Sequence, residues 1–152
     1  VSKAKCMVAK DCCATNPMTC KIIADEVKGQ ALIGSFLAPD VQVFDTWGTW
    51  SYQGCEAWRQ MVQGWFSALG EHEQLEVRVA EVRITPGTDL AVVTAAFTYA
   101  ALLQGRELRA MSNRLTWALQ HQAGQWRIVH EHTSVPVSFE DAKGMLQREP
   151  AR

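Results

Sequence analysis

The sequence predicts an α+β domain in which a curved, mainly antiparallel (mixed) sheet wraps around helices drawn from the N-terminal half. Two observations carry this. Apolar residues recur at helical spacing before Gly70 and alternate at strand spacing after it. Turn signals at Pro86-Gly87, Gln104-Gly105 and Gly124 then divide the second half into consecutive hairpin strands. Helices first and hairpins afterwards place the two element types in separate layers. At 152 residues the chain can bury about 70% of its unfolded surface, enough for a core with one internal pocket.

Residues 1–17 show little pattern before the break at Asn16-Pro17, and form an N-terminal segment of unknown role ahead of a single domain over 18–152. Met18, Ile22, Ile23 and Val27 predict a helix to about Lys28, closed by Gly29. A second short helix is expected from Ala31 to Leu37, stopped at Ala38-Pro39-Asp40 because proline disfavours helix in the residue before it. Val41 to Asp45 alternates as a strand, and the aromatic stretch Trp47 to Tyr52 is a short strand or loop. Gly54 to Gly70 is the clearest helix, with Trp58, Met61, Val62, Trp65, Phe66 and Leu69 on one face. Strands follow around Leu75–Val79, over Leu90–Leu103, over Arg109–Gln120 and over Gln125–Val137. A short helix is expected over Ser138–Gln147.

Fifteen Lys and Arg balance sixteen Asp and Glu, so no basic field exists to hold nucleic acid or an anionic membrane. No apolar run approaches the ~18 residues of a membrane span. The N-terminus has lysines but no continuous apolar stretch ahead of a cleavage site, which argues against a signal peptide. Of five cysteines, Cys6, Cys12, Cys13 and Cys20 crowd the first twenty residues and Cys55 stands alone. Their spacing fits none of the usual zinc patterns, so the expectation is reduced thiols in a cytoplasmic protein. No cofactor motif is present, and neither a cofactor nor a metal is expected.

The tail carries a resemblance. Arg114-Leu115-Thr116, then Gly124-Gln125-Trp126-Arg127-Ile128, then His130-Glu131-His132-Thr133-Ser134-Val135-Pro136 is similar to the last hairpin of the SnoaL-like branch of the nuclear-transport-factor-2-like superfamily. Ala38-Pro39-Asp40-Val41 through Phe44-Asp45, followed by Gly54, resembles the same branch's first strand and helix entry. The likeness spans about residues 18–137. It implies a cone-shaped sheet, an α+β barrel, enclosing helices. It does not fix an activity, since the superfamily holds isomerases, dehydratases, cyclases, epoxide hydrolases and assembly modules.

In ketosteroid isomerase-like members of the superfamily an aspartate at the end of the first strand is the general base, and Asp45 falls there. Asp45 also shares a strand face with Val41 and Val43. A carboxylate at the mouth of an apolar cavity is poorly solvated, which raises its basicity. The alternative is a capping aspartate before Thr46. Counting back across the hairpin loop puts Asn113, Leu115, Trp117 and Leu119 on the face of Val129, Glu131 and Thr133. Ser112, Arg114 and Thr116 then lie on the face of His130, His132 and Ser134. The first set reads as a pocket wall with Glu131 as a second candidate acid. The second set, with His130, His132, Arg114 and Ser134, reads as an outer surface that could be structural or catalytic. Two histidines there lack a third metal ligand. Trp47, Tyr52, Tyr99, Asn113, Trp117 and Thr133 are candidates to contact substrate.

The expected function is cofactor-independent acid–base chemistry of the isomerase, dehydratase or hydrolase class, acting on a small hydrophobic, oxygen-bearing molecule. The alternative is a non-catalytic ligand-binding or oligomerisation module of the same fold. The resemblance also implies a homodimer through the outer sheet face.

Overall fold

The computed structural model describes residues 20–23, by their backbone, and 36–148. These residues form a seven-stranded sheet and one helix, α1 (Cys55–Ser67). In chain order the strands are β1 (Cys20–Ile23), β2 (Leu37–Phe44), β3 (Tyr52–Gln53), β4 (Glu73–Pro86), β5 (Leu90–Leu103), β6 (Arg106–Gln122) and β7 (Gln125–Ser134). Across the sheet the order is β1-β4-β5-β6-β7-β2-β3. Every pair is antiparallel except β2 with β7, which run parallel, so the sheet is mixed.

The α+β class holds, and four expectations are corrected. Cys20–Ile23 is a strand paired with β4, not part of a helix; long-range pairing to an open strand edge outweighs a weak helical periodicity over two adjacent isoleucines. The rest of that expected helix lies outside the described residues, as do 31–35 of the second. Leu37, the last residue of that second helix, instead opens β2. Pro39 sits inside β2, where the register against β7 jumps between Leu37 and Gln42, so its missing N–H breaks no ladder bond there. The sheet is open, with β1 and β3 at its edges, rather than closed into a barrel.

The fourth correction is at the C-terminus. No helix forms over Ser138–Gln147. Pro136 ends β7 early, and Val137 to Gly144 makes a tight loop closed by a bridge between those two residues. The chain then returns beside β6. Leu146 O accepts from Ser112 N at 2.7 Å and Gln147 Nε2 donates to Ala110 O at 2.7 Å. Arg148 ion-pairs with Glu81 on β4.

Curvature comes from irregularities in the ladders. The register shifts put extra residues at Glu81 and Val82 in β4, at Leu108 in β6 and at Val129 in β7. Such bulges bend a strand and increase its twist. Glu81, in the first of them, has φ 54°.

α1 forms where the apolar spacing predicts it and packs Trp58, Met61 and Val62 onto Leu37, Val41, Val43, Leu119 and Ile128. Each of these side chains contributes roughly 1.5–3 kcal/mol by leaving water. Gly54 sets the entry of the helix. Its φ of 84° and ψ of 157° suit glycine alone, and a Cβ there would lie 3.3 Å from Pro39 O. Its N–H donates to Val41 O at 2.7 Å, fixing α1 to β2 just before Asp45.

Candidate active site

Two parallel strands bring the candidate acids together. Val43 on β2 pairs with Glu131 on β7, and Phe44 with His132. Alternation puts Val41, Val43 and Asp45 on the inner face of β2, and Glu131 and Thr133 on the inner face of β7. Val41 and Val43 are fully buried, and Glu131 and Thr133 are 6% and 4% exposed. β6 adds Trp117 opposite Glu131 and Leu115 opposite Thr133, with Asn113 further along. β5 places Phe97 opposite Asn113 and Tyr99 opposite Met111. One buried face thus gathers Asp45, Thr133, Glu131, Asn113, Tyr99 and Trp117. Val129 does not join it. The register shift at Ala118/Leu119 sets Ile128 against Leu119 instead, and Ile128 is the buried residue.

The other face holds His130, His132, Arg114 and Ser134. Arg114 pairs with Ser134 and Thr116 with His132. The Phe44 ring meets His130 and His132 edge-on at 4.9 and 5.9 Å. Partial burial first, and the neighbouring His132 second, hold His130 below the usual histidine range.

Glu131 is enclosed by aromatic groups. Trp117 Nε1 donates to its Oε2 at 2.6 Å, and the Trp58 indole also hydrogen-bonds to it. Burial pushes its carboxyl up to about 7, Asp45 adds to the rise, and the two indoles oppose it. The Tyr99 phenol is pushed far above its ordinary range by burial and then by the charges of Glu131 and Asp45, with Asn113 opposing. Tyr99 is therefore a neutral O–H group at any physiological pH.

Asp45 is held by a chain of hydroxyls. Thr133 Oγ1 donates to Asp45 Oδ1 at 2.7 Å. The same oxygen accepts from Thr46 N at 2.8 Å and from Thr46 Oγ1 at 3.0 Å. Thr133 thus uses its one hydrogen and both lone pairs. The other carboxylate oxygen, Asp45 Oδ2, is buried without a hydrogen-bond partner among the described residues, as is Asn113 Oδ1. Beside this network the chain from Phe44 to Ser51, with His132 and Thr133, lines a cleft of about 650 Å³. Trp47 and Trp50 stand on its wall, 42% and 96% exposed. Tyr52 is instead packed against the core, its hydroxyl 2.8 Å from where a Cβ on Gly48 would lie.

Thr133→Val removes the link while keeping the shape. It leaves Thr46 N and Asp45 Oδ1 without their partner, at about 1–3 kcal/mol per group. The expected result is a melting temperature lower by roughly 5–10 °C, with Thr133→Ser close to the parent. Equal melting of the valine variant and the parent would show that the link carries no stability.

Sequence reasoning missed Thr46 and Trp58. A hydroxyl next to Asp45 was a usable signal for Thr46. The indole of Trp58 gave none, because periodicity places a side chain on a face without saying which way its N–H points.

Among the described residues no helix is long and apolar enough to cross a membrane. A search of curated proteins found no match. Solved structures do match. An NTF2-like protein of unknown function from Pseudomonas putida is 22% identical, with 82% of this chain and 84% of that one covered at a TM-score of 0.68. An NTF2-like protein with a cystatin-like fold from Novosphingobium aromaticivorans is 12% identical, covering 76% and 75% at a TM-score of 0.59. A protein from Catenulispora acidiphila, solved in complex with S-DNPA, is 14% identical, covering 72% and 79% at a TM-score of 0.59. These likenesses show the fold. The SnoaL-like domain model matches residues 24–138, most of the chain, and the protein therefore belongs to the SnoaL-like family.

Proposed function

We propose that this protein is a cofactor-independent acid–base enzyme, of the isomerase, dehydratase or hydrolase class, acting on a small hydrophobic, oxygen-bearing molecule. The observation that carries the reading is the carboxylate of Asp45, anchored through Oδ1, with Oδ2 buried and without a hydrogen-bond partner among the described residues. Asp45 takes the role of base and Glu131 that of acid. Glu131 pairs with Val43, so Asp45 and Glu131 stand two strand positions apart on one face, their backbones offset by about 7 Å along the strand. Their surroundings differ: Asp45 borders a cleft and accepts from a hydroxyl, while Glu131 sits among indoles with a proton affinity near neutrality. A carboxyl that holds its proton to near neutrality is suited to proton delivery. Tyr99 and Asn113, on the same face, orient the substrate oxygen. The Catenulispora neighbour bound to S-DNPA supports a fold with room for a small molecule.

The test is a screen of ketones, epoxides and hydroxy-ketones without added cofactor, followed by a pH profile of any turnover found. With Glu131 as acid, the rate falls as pH rises through about 7, and Glu131→Gln flattens that limb. A limb that persists in the glutamine variant would remove Glu131 from proton delivery. A second reading, a ligand-binding module without turnover, is favoured by the enclosure of Asp45 Oδ2, since a base must reach its substrate's proton. Saturable binding without turnover across the screen would support it.

A further inference from the structure

Glu131 is gripped from two separate elements. On β6, Trp117 stands opposite it, and Trp117 Nε1 donates to Glu131 Oε2 at 2.6 Å. On α1, the buried Trp58 brings a second indole N–H to the same carboxyl. Packing holds both rings. Trp117 lies against the core and meets Phe97 edge-on at 6.0 Å, and Trp58 belongs to the core cluster with Leu37, Val41 and Val43. The helix entry places Trp58: its N–H donates to Gly54 O at 3.2 Å, and Gly54 N–H is bound to Val41 O.

An indole suits this position. Its N–H donates only, it brings no charge, and the rest of the ring is apolar. A Lys or Arg in its place would hold Glu131 ionised, and a side chain without a donor would leave burial unopposed and the acid locked in its protonated form. A general acid has to release its proton and regain it near the working pH. Asp45 from β2 and Tyr99 from β5 are the titratable groups that act on Glu131. Tyr99 stays protonated, so Asp45 brings the charge that opposes ionisation. His130 and His132 project from the opposite face of β7.

We infer that Trp117 and Trp58 are positioning residues for Glu131: their N–H groups fix its carboxyl where α1, β6 and β7 meet and favour its ionised form against burial. The inference rests on Glu131 as the acid of the site and adds the two groups through which it is tuned.

The six tryptophans give the readout, as indole N–H signals in a proton–nitrogen NMR spectrum followed against pH. The Trp117 and Trp58 signals, assigned from phenylalanine variants, should move downfield together as pH rises through about 7, because a carboxylate is the stronger acceptor. Glu131→Gln should still both. Trp126, whose ring lies 5.2 Å from that of His121, serves as the control: any movement it makes with His121 survives in the glutamine variant. Trp117→Phe removes one donor to a charged group, so the midpoint read on Trp58 should rise by about one pH unit or more. A side chain that only filled space would leave that midpoint alone. Indoles that do not titrate, a titration that persists in Glu131→Gln, or an unmoved midpoint in Trp117→Phe overturns the inference. The native and glutamine spectra decide it even if the phenylalanine variant fails to fold. No substrate is needed: titrating indoles without turnover in the screen remove the enzymatic reading alone. Silent indoles beside a rate limb that Glu131→Gln flattens remove the indole grip alone.

Discussion

Asp45→Asn is expected to lower the turnover of any substrate the protein converts by about 10²–10⁴-fold, the usual contribution of a positioned general base. The change disturbs little else. Asparagine keeps an oxygen to accept from Thr133 Oγ1, so the link through Thr133 to Thr46 survives. Its amide nitrogen takes the place of Oδ2, which has no hydrogen-bond partner among the described residues. No existing bond is lost, and the melting temperature should stay close to the parent. The paired measurement is kcat/KM and thermal melting on both proteins. A large loss of rate with parental melting assigns Asp45 to the chemistry. Unchanged turnover removes it from the mechanism.

The second large effect is on stability. Glu131 ionises near 4.5 in an unfolded chain and near 7 when folded, because burial opposes its charge. Between those values the folded state binds more proton, so stability falls as pH rises. The stability of the protonated form is fully present below about 4.5 and lost once pH passes about 7. The gap corresponds to about 3 kcal/mol. Glu131→Gln stays neutral and escapes the loss. Urea unfolding from pH 4.5 to 8 should therefore show the parent losing about 3 kcal/mol relative to the glutamine variant. His130 works with the opposite sign: its lowered pKa makes protonation cost stability as pH falls. It is present in both proteins and cancels in the difference. Parallel curves would mean that Glu131 is solvated in the folded protein.

What the sequence disclosed follows from which forces act locally. The face assignment of Glu131 and Thr133 was legible because side-chain alternation is a property of the strand itself. Val129 was misplaced because one bulge, invisible to counting, changes the phase of everything beyond it. α1 was legible because its apolar spacing is long and regular. Cys20–Ile23 was not, because a partner strand more than fifty residues away decides its conformation. The position of Asp45 was readable from its place at a strand end. Its anchoring by Thr133, 88 residues on, depends on the parallel β2/β7 pairing, which no local pattern announces.

The returning C-terminal segment has a consequence of its own. β7 stops at Ser134 opposite Arg114, while β6 continues back to Arg106. From Asn113 toward Arg106, the β6 backbone facing β7's side would be a naked sheet edge, a template for another chain to add a strand. Leu146 and Gln147 occupy the Ser112 and Ala110 positions of that edge instead. Pro136, with no N–H of its own to offer a ladder, starts the detour that brings them there. Leu146 and Gln147 thus act as an aggregation guard, and their removal would matter first for solubility and only later for chemistry.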